Sequence, residues 1–195
     1  MERTGTTGAV ILAAGESRRF GSPKQLAMLG DRTLLEHVLE LAWRIGLRPV
    51  VAVVPIWLSR PASADAGLGW VRNANPERGL SHSLRLGLGA LPPHSTGAMI
   101  LLGDQPLVEE AHLRAILAAR GQRPIIATLS QGLAMPPLLL ERAAFALADS
   151  LSGDVGLRGL LREQGDRVTG IALAQPAGDV DVPDDLERLG PAGGA

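Results

Sequence analysis

Residues 12–24 read Leu-Ala-Ala-Gly-Glu-Ser-Arg-Arg-Phe-Gly-Ser-Pro-Lys, so two glycines, two arginines and a lysine follow directly on an apolar run. Gly15 and Gly21 let backbone N–H groups approach a polyphosphate, while Arg18, Arg19 and Lys24 supply charge-assisted hydrogen bonds to its oxygens. The spacing fits neither a Walker loop nor a G-x-G-x-x-G dinucleotide fingerprint, because Ser22 and Pro23 separate Gly21 from Lys24. A solvated basic turn is the competing reading of the same composition.

A second group sits at 101–106, Leu-Leu-Gly-Asp-Gln-Pro, where Asp104 leaves another apolar run. Nucleotidyl transfer builds charge on non-bridging oxygens, and a carboxylate at such a place can hold the Mg²⁺ that neutralises it. An Asp capping a helix that starts near Val108 explains the same residue. In the stretch 75–88, Gly79, Ser81 and Ser83 suit the edge of a flat nucleobase, with a helix capped by Ser81 as the alternative. Asp179, Asp181, Pro183, Asp184 and Asp185 form an acidic cluster before Leu186. From the residues alone it reads as the start of a last short helix.

These groups need a scaffold that brings separate loops together. Apolar runs at 9–14, 49–54, 98–102, 124–129 and 168–173 predict buried strands, and helical spacing appears at 33–46, 81–91, 107–120, 138–150 and 155–164. Their alternation predicts an α/β fold with a mostly parallel sheet covered on both faces. Ligands in such sheets bind beyond the carboxyl ends of the strands, which is where 15–24 and 103–106 fall. Residues 55–69 read as a surface connection, and Trp43, Trp57 and Trp70 as packing residues. The four histidines, at 37, 82, 94 and 112, show no paired zinc spacing.

Residues 12–24 resemble the opening motif L-A-A-G-x-S-x-R-F/M-G-x-x-K of the MobA-like nucleotidyltransferases, and within them the molybdenum cofactor cytidylyltransferases. Gly-Asp-Gln-Pro at 103–106 is similar to the family's metal motif, and Asp179-Val-Asp181-Val-Pro183 to its C-terminal D-I-D-T-P. The resemblance runs from about residue 8 to 189 and implies the three-layer, Rossmann-like nucleotide-diphospho-sugar transferase fold. It implies that Leu12, Ala13, Ala14, Gly15, Lys24, Gly79, Ser81, Ser83 and Asp104 contact the nucleotide. By the same resemblance Arg18, Arg19, Lys24 and Asp104 serve catalysis, and Asp104 with Asp181 holds Mg²⁺. The substrates it implies are CTP and the phosphate of molybdopterin, with transient contact to a molybdoenzyme or its chaperone. The family's Gly-His-Pro and G-D-K-G-A-R motifs are replaced here by Ala134-Met135-Pro136 and by Gly153-Asp154-Val155-Gly156-Leu157-Arg158. Both changes remove polar groups from the side that should hold the acceptor. They leave room for another acceptor phosphate, for GTP, or for a relative that binds a nucleotide or cofactor without turnover.

At 195 residues one domain spanning 1–195 is expected. With 46% hydrophobic but only 3% aromatic residues, its core must be aliphatic. Nineteen Lys and Arg against 20 Asp and Glu, without a run of one sign, argue against nucleic acid and anionic lipid as partners. The absence of cysteine excludes thiolate metal sites, disulfides and a cysteine nucleophile. The first residues carry no signal-peptide pattern and no apolar run approaches a membrane span, which predicts a cytoplasmic protein.

Overall fold

A computed structural model describes residues 6–15, 20, 23–61, 65–151 and 156–172. The aliphatic runs form the strands. β1 (Thr7–Leu12), β4 (Val50–Pro55) and β6 (Gly97–Leu102) are the buried centre of a seven-stranded sheet. β5 (Leu68–Asn73), β7 (Ile125–Ser130), β8 (Leu133–Glu141) and β9 (Val168–Ala172) complete it in the order β5-β4-β1-β6-β8-β7-β9. Neighbouring strands of this sheet run parallel except β6–β8 and β7–β8, so a single reversed strand, β8, interrupts a parallel sheet. A small hairpin, β2 (Met28–Leu29) with β3 (Arg32–Thr33), precedes the first helix.

Side chains of a strand alternate between faces, and the core divides accordingly. Ala9, Ile11, Val50, Ala52, Met99 and Leu101 face one layer, shared with α1 (Leu34–Arg44) and α3 (Glu110–Ala118). Val10, Leu12, Val51, Val53, Ala98 and Ile100 face the other, shared with α2 (Leu80–Gly89) and α4 (Gly156–Glu163). Each fully buried Leu, Ile or Val contributes roughly 1.5–3 kcal/mol. α1 shows why its sequence is helical: Leu34, Leu35, Val38, Leu39, Leu41 and Ala42 form one buried stripe. Its start is fixed by a capping box in which Thr33 Oγ1 accepts from Glu36 N at 3.2 Å and Glu36 Oε2 accepts from Thr33 N at 2.9 Å. The bond from Thr33 N, and second a donation from Thr33 Oγ1 to Glu36 Oε2 at 2.7 Å, hold the Glu36 carboxyl below its ordinary value.

Two expectations are corrected. Residues 138–150 are not a helix: the chain to Glu141 is β8, and only 142–150 form a 3₁₀ turn. Leu138, Leu139 and Leu140 are all fully buried because β8 lies between β6 and β7 with a layer on each face. The stretch 55–69 is not connection throughout, since β5 begins at Leu68 as an edge strand whose mixed Gly, Trp, Val and Arg pattern hides its period. Trp43 and Trp70 pack against the α1 layer, whereas Trp57 is exposed. Among the described residues no helix is long and apolar enough to cross a membrane.

Candidate active site

The parallel pairing sets the carboxyl ends of β4, β1 and β6 side by side at one edge of the sheet. From β1 the chain crosses by α1 to β4 on one side, and it returns by α2 to β6 on the other, with the two helices on opposite faces. The crevice between β1 and β6 is therefore the point where the winding direction switches, the place where such sheets hold ligands.

The loops that leave β1 and β6 touch there. Gly103 N donates to Leu12 O at 2.9 Å, and a Cβ at Gly103 would lie 2.7 Å from the Ala13 Cβ, so only glycine permits this approach. Ala13 N in turn donates to Val53 O at 2.8 Å, continuing the tie to β4. The consequence is an ion pair across 80 residues of sequence: Lys24 Nζ lies 3.4 Å from Asp104 Oδ2. The lysine side chain is 12% exposed and the aspartate 35%, so the carboxylate has the more open face. Asp104 is not a helix cap, because α3 begins at Glu110 behind Glu109.

Sequence reasoning missed the residue that shapes the first loop. Gln25 is buried, and its Nε2 donates to Ala13 O at 2.7 Å and to Gly15 O at 2.9 Å, clamping the exit of β1. Its Oε1 is buried without a partner. No spacing rule identifies Gln25, since its two acceptors are main-chain carbonyls brought near only by the turn at Lys24–Leu26.

The base-side candidates separate. α2 begins behind Gly79, whose φ of +78° favours glycine and which has no side chain of its own to cap the helix. Ser81 is fully buried and its Oγ has no partner, so it is not the cap that its position suggests. Ser83 accepts from Asn73 Nδ2 at 3.0 Å, and Asn73 Oδ1 accepts from Asn75 N at 2.8 Å. Ser83 thus joins a buried network that ties α2 to the end of β5, and Asn73 is a second residue unseen in the sequence. Burial, and then Arg78 and Arg85, lower the pKa of His82 beside them. Arg18, Arg19 and Asp181, like Gly21 and the 153–155 segment, lie outside the described residues.

The MobA-like NTP transferase domain model matches residues 9–168. The chain belongs to the MobA-like NTP transferase family. In this member of that family Lys24, Asp104 and Gly79 fall within the matched region. Rv0371c from Mycobacterium tuberculosis is similar over 95% of this chain and 97% of its own, at 33% identity and a TM-score of 0.85. A structure of Rv0371c in complex with manganese is similar at 29% identity and a TM-score of 0.79, over 95% of this chain and 97% of its own. The bifunctional protein GlmU of Polaromonas naphthalenivorans is 39% identical over 133 residues, 62% of this chain but 28% of GlmU. The MobA-like chain thus spans little more than a quarter of the curated relative it matches. Its sheet, with one reversed strand, is the Rossmann-like architecture of these transferases.

Proposed function

We propose that the protein is a divalent-metal-dependent nucleotidyltransferase that transfers CMP from CTP to the phosphate of molybdopterin with release of diphosphate. The single observation that carries the transfer chemistry is the Lys24–Asp104 pair at the β1–β6 switch point. The donor set suits a hard cation: Asp104 offers carboxylate oxygens at an open sheet edge, where one or two carboxylates and substrate phosphates are what Mg²⁺ takes. Asp104, with Asp181 as second ligand, would hold Mg²⁺, which supplies charge neutralisation on the triphosphate.

The chain's own groups do the remaining work. The Gln25-clamped loop from Leu12 through Ala13 and Ala14 to Gly15 lines the nucleotide, and Lys24 with Arg18 and Arg19 stabilises the phosphates as charge develops. The Ser81 hydroxyl, which has no hydrogen-bond partner among the described residues, offers a donor to the base. An acceptor phosphate oxygen attacks the α-phosphorus, a new P–O bond forms, and the bond to the bridging oxygen breaks. Diphosphate leaves with that electron pair. The acceptor phosphate is already ionised at neutral pH, so no protein nucleophile is needed and positioning dominates. The Ala13-Ala14 pair before Gly15 favours CTP through the resemblance to cytidylyl enzymes.

Met135 and Leu133, at the start of β8, support a second reading in which the same transfer uses a different phosphorylated acceptor. The test supplies Mg²⁺ and molybdopterin with CTP, GTP, ATP or UTP in parallel and measures diphosphate. Release with CTP alone is the expected result, and release with GTP alone moves the protein to the guanylyl branch. Silence with all four, despite nucleotide binding, refutes the molybdopterin acceptor.

A further inference from the structure

The pairing of β7 with β8 slips between Ala127 and Thr128. Ala127 faces Leu138, but Thr128 faces Met135, so Pro136 and Pro137 have no cross-strand partner in the ladder. Neither proline has an N–H, and the carbonyls beside them must find donors outside the sheet. Pro137 O finds one in a side chain: Thr128 Oγ1 donates to it at 2.7 Å. The hydroxyl hydrogen is then committed, so the 2.8 Å contact between Thr128 Oγ1 and His112 Nε2 is a donation from the imidazole N–H. Thr128 is fully buried and His112 is 8% exposed, so this three-link chain lies in the aliphatic layer under α3.

Its ends matter. His112 is in the first turn of α3, the helix that follows the Asp104 loop, and Pro137 is two residues from Met135 in the strand that starts at the carboxyl edge. A valine would fill the Thr128 position but leave Pro137 O and the His112 N–H buried without this partner, so the hydroxyl both satisfies its two neighbours and fixes their direction. We infer that His112 and Thr128 are positioning residues whose hydrogen-bond relay holds Leu133–Met135 in register beside the Asp104 loop and thereby sets acceptor binding. The inference deepens the transfer reading above and rests on it for the acceptor.

Two variants test it, Thr128→Val, which keeps the shape, and Thr128→Ser, which keeps the hydroxyl. With CTP, Mg²⁺ and molybdopterin, Thr128→Val should raise the KM for molybdopterin about tenfold while the KM for CTP stays within about twofold, and Thr128→Ser should restore it. Amide hydrogen exchange at 133–135 should accelerate in the valine variant and return to the native rate in the serine one. Equal changes in both KM values, or a lower melting temperature with both KM values intact, overturn the inference. Should the unaltered protein bind CTP yet release no diphosphate, the transfer reading fails on its own terms. Exchange at 133–135 then decides the relay, and a native rate in Thr128→Val rejects it.

Discussion

The sheet carries a cation–carboxylate contact at each edge, and the two are built differently. At the amino edge Arg120 donates to both oxygens of Glu141, at 3.1 and 2.7 Å, and also reaches Thr96 and Thr7, so that β1, β6 and β8 are tied at one point. Gly121 N adds a further bond to Glu141 at 3.1 Å. At the carboxyl edge Lys24 meets Asp104 at 3.4 Å, across the two loops that leave β1 and β6. A guanidinium locked on both carboxylate oxygens is a staple, whereas a compact ammonium beside a more open carboxylate can exchange partners when phosphate or metal arrives. The fold is fastened at one end and left negotiable at the other.

The largest effect should come from Asp104→Asn, which removes charge and keeps shape. Transfer should fall by about 100-fold or more, with the unfolding midpoint unchanged. Parallel diphosphate-release and urea measurements check this, and a normal rate would return Asp104 to a structural role. Arg120→Ala should do the reverse: it strands the Glu141 carboxylate and should cost about 1–3 kcal/mol in urea while kcat holds. Loss of rate without loss of stability in that variant would erase the distinction between the edges.

How much of this was legible follows from the same contrast. The carboxyl-edge loops announce themselves, because Gly15, Gly103 and Asp104 follow closely on the strands they leave and Lys24 closes the glycine-rich stretch that begins there. The parallel centre was legible too, since β1, β4 and β6 are unbroken aliphatic runs. β8 was misread because Leu138 to Leu140 are buried on both faces, and an uninterrupted apolar stretch has the same composition in a strand and in a helix. Gln25, Asn73, His112 and Thr128 were invisible for another reason. Their partners are carbonyls or side chains brought close only by tertiary packing, as with Gln25 and the carbonyls of Ala13 and Gly15.

Smaller effects sharpen the comparison further. Gly103→Ala forces apart the loops of the negotiable edge and should cost about 1–3 kcal/mol together with part of the activity, read by urea unfolding and diphosphate release. Burial pushes the His112 pKa down from 6.5, and Glu109 pulls it back less, so the folded protein takes up a proton less readily than the unfolded chain. The stability this imidazole confers is present above about pH 6.5 and is lost as pH falls, and His82 acts in the same direction. A urea midpoint lower at about pH 5 than at neutrality, with the difference reduced in His112→Gln, is the expected result. Leu133→Ser should change least, within about 0.5 kcal/mol by thermal unfolding, because the side chain is 72% exposed.

The bond from Gly103 N to Leu12 O has a consequence for how this chain can be re-engineered. It joins main chain to main chain, so the spacing between the exits of β1 and β6 does not depend on the side chains at 133–135. Under the proposed function, randomising 133–135 would vary the acceptor side at constant spacing, whereas randomising 13 or 103 would alter the spacing itself.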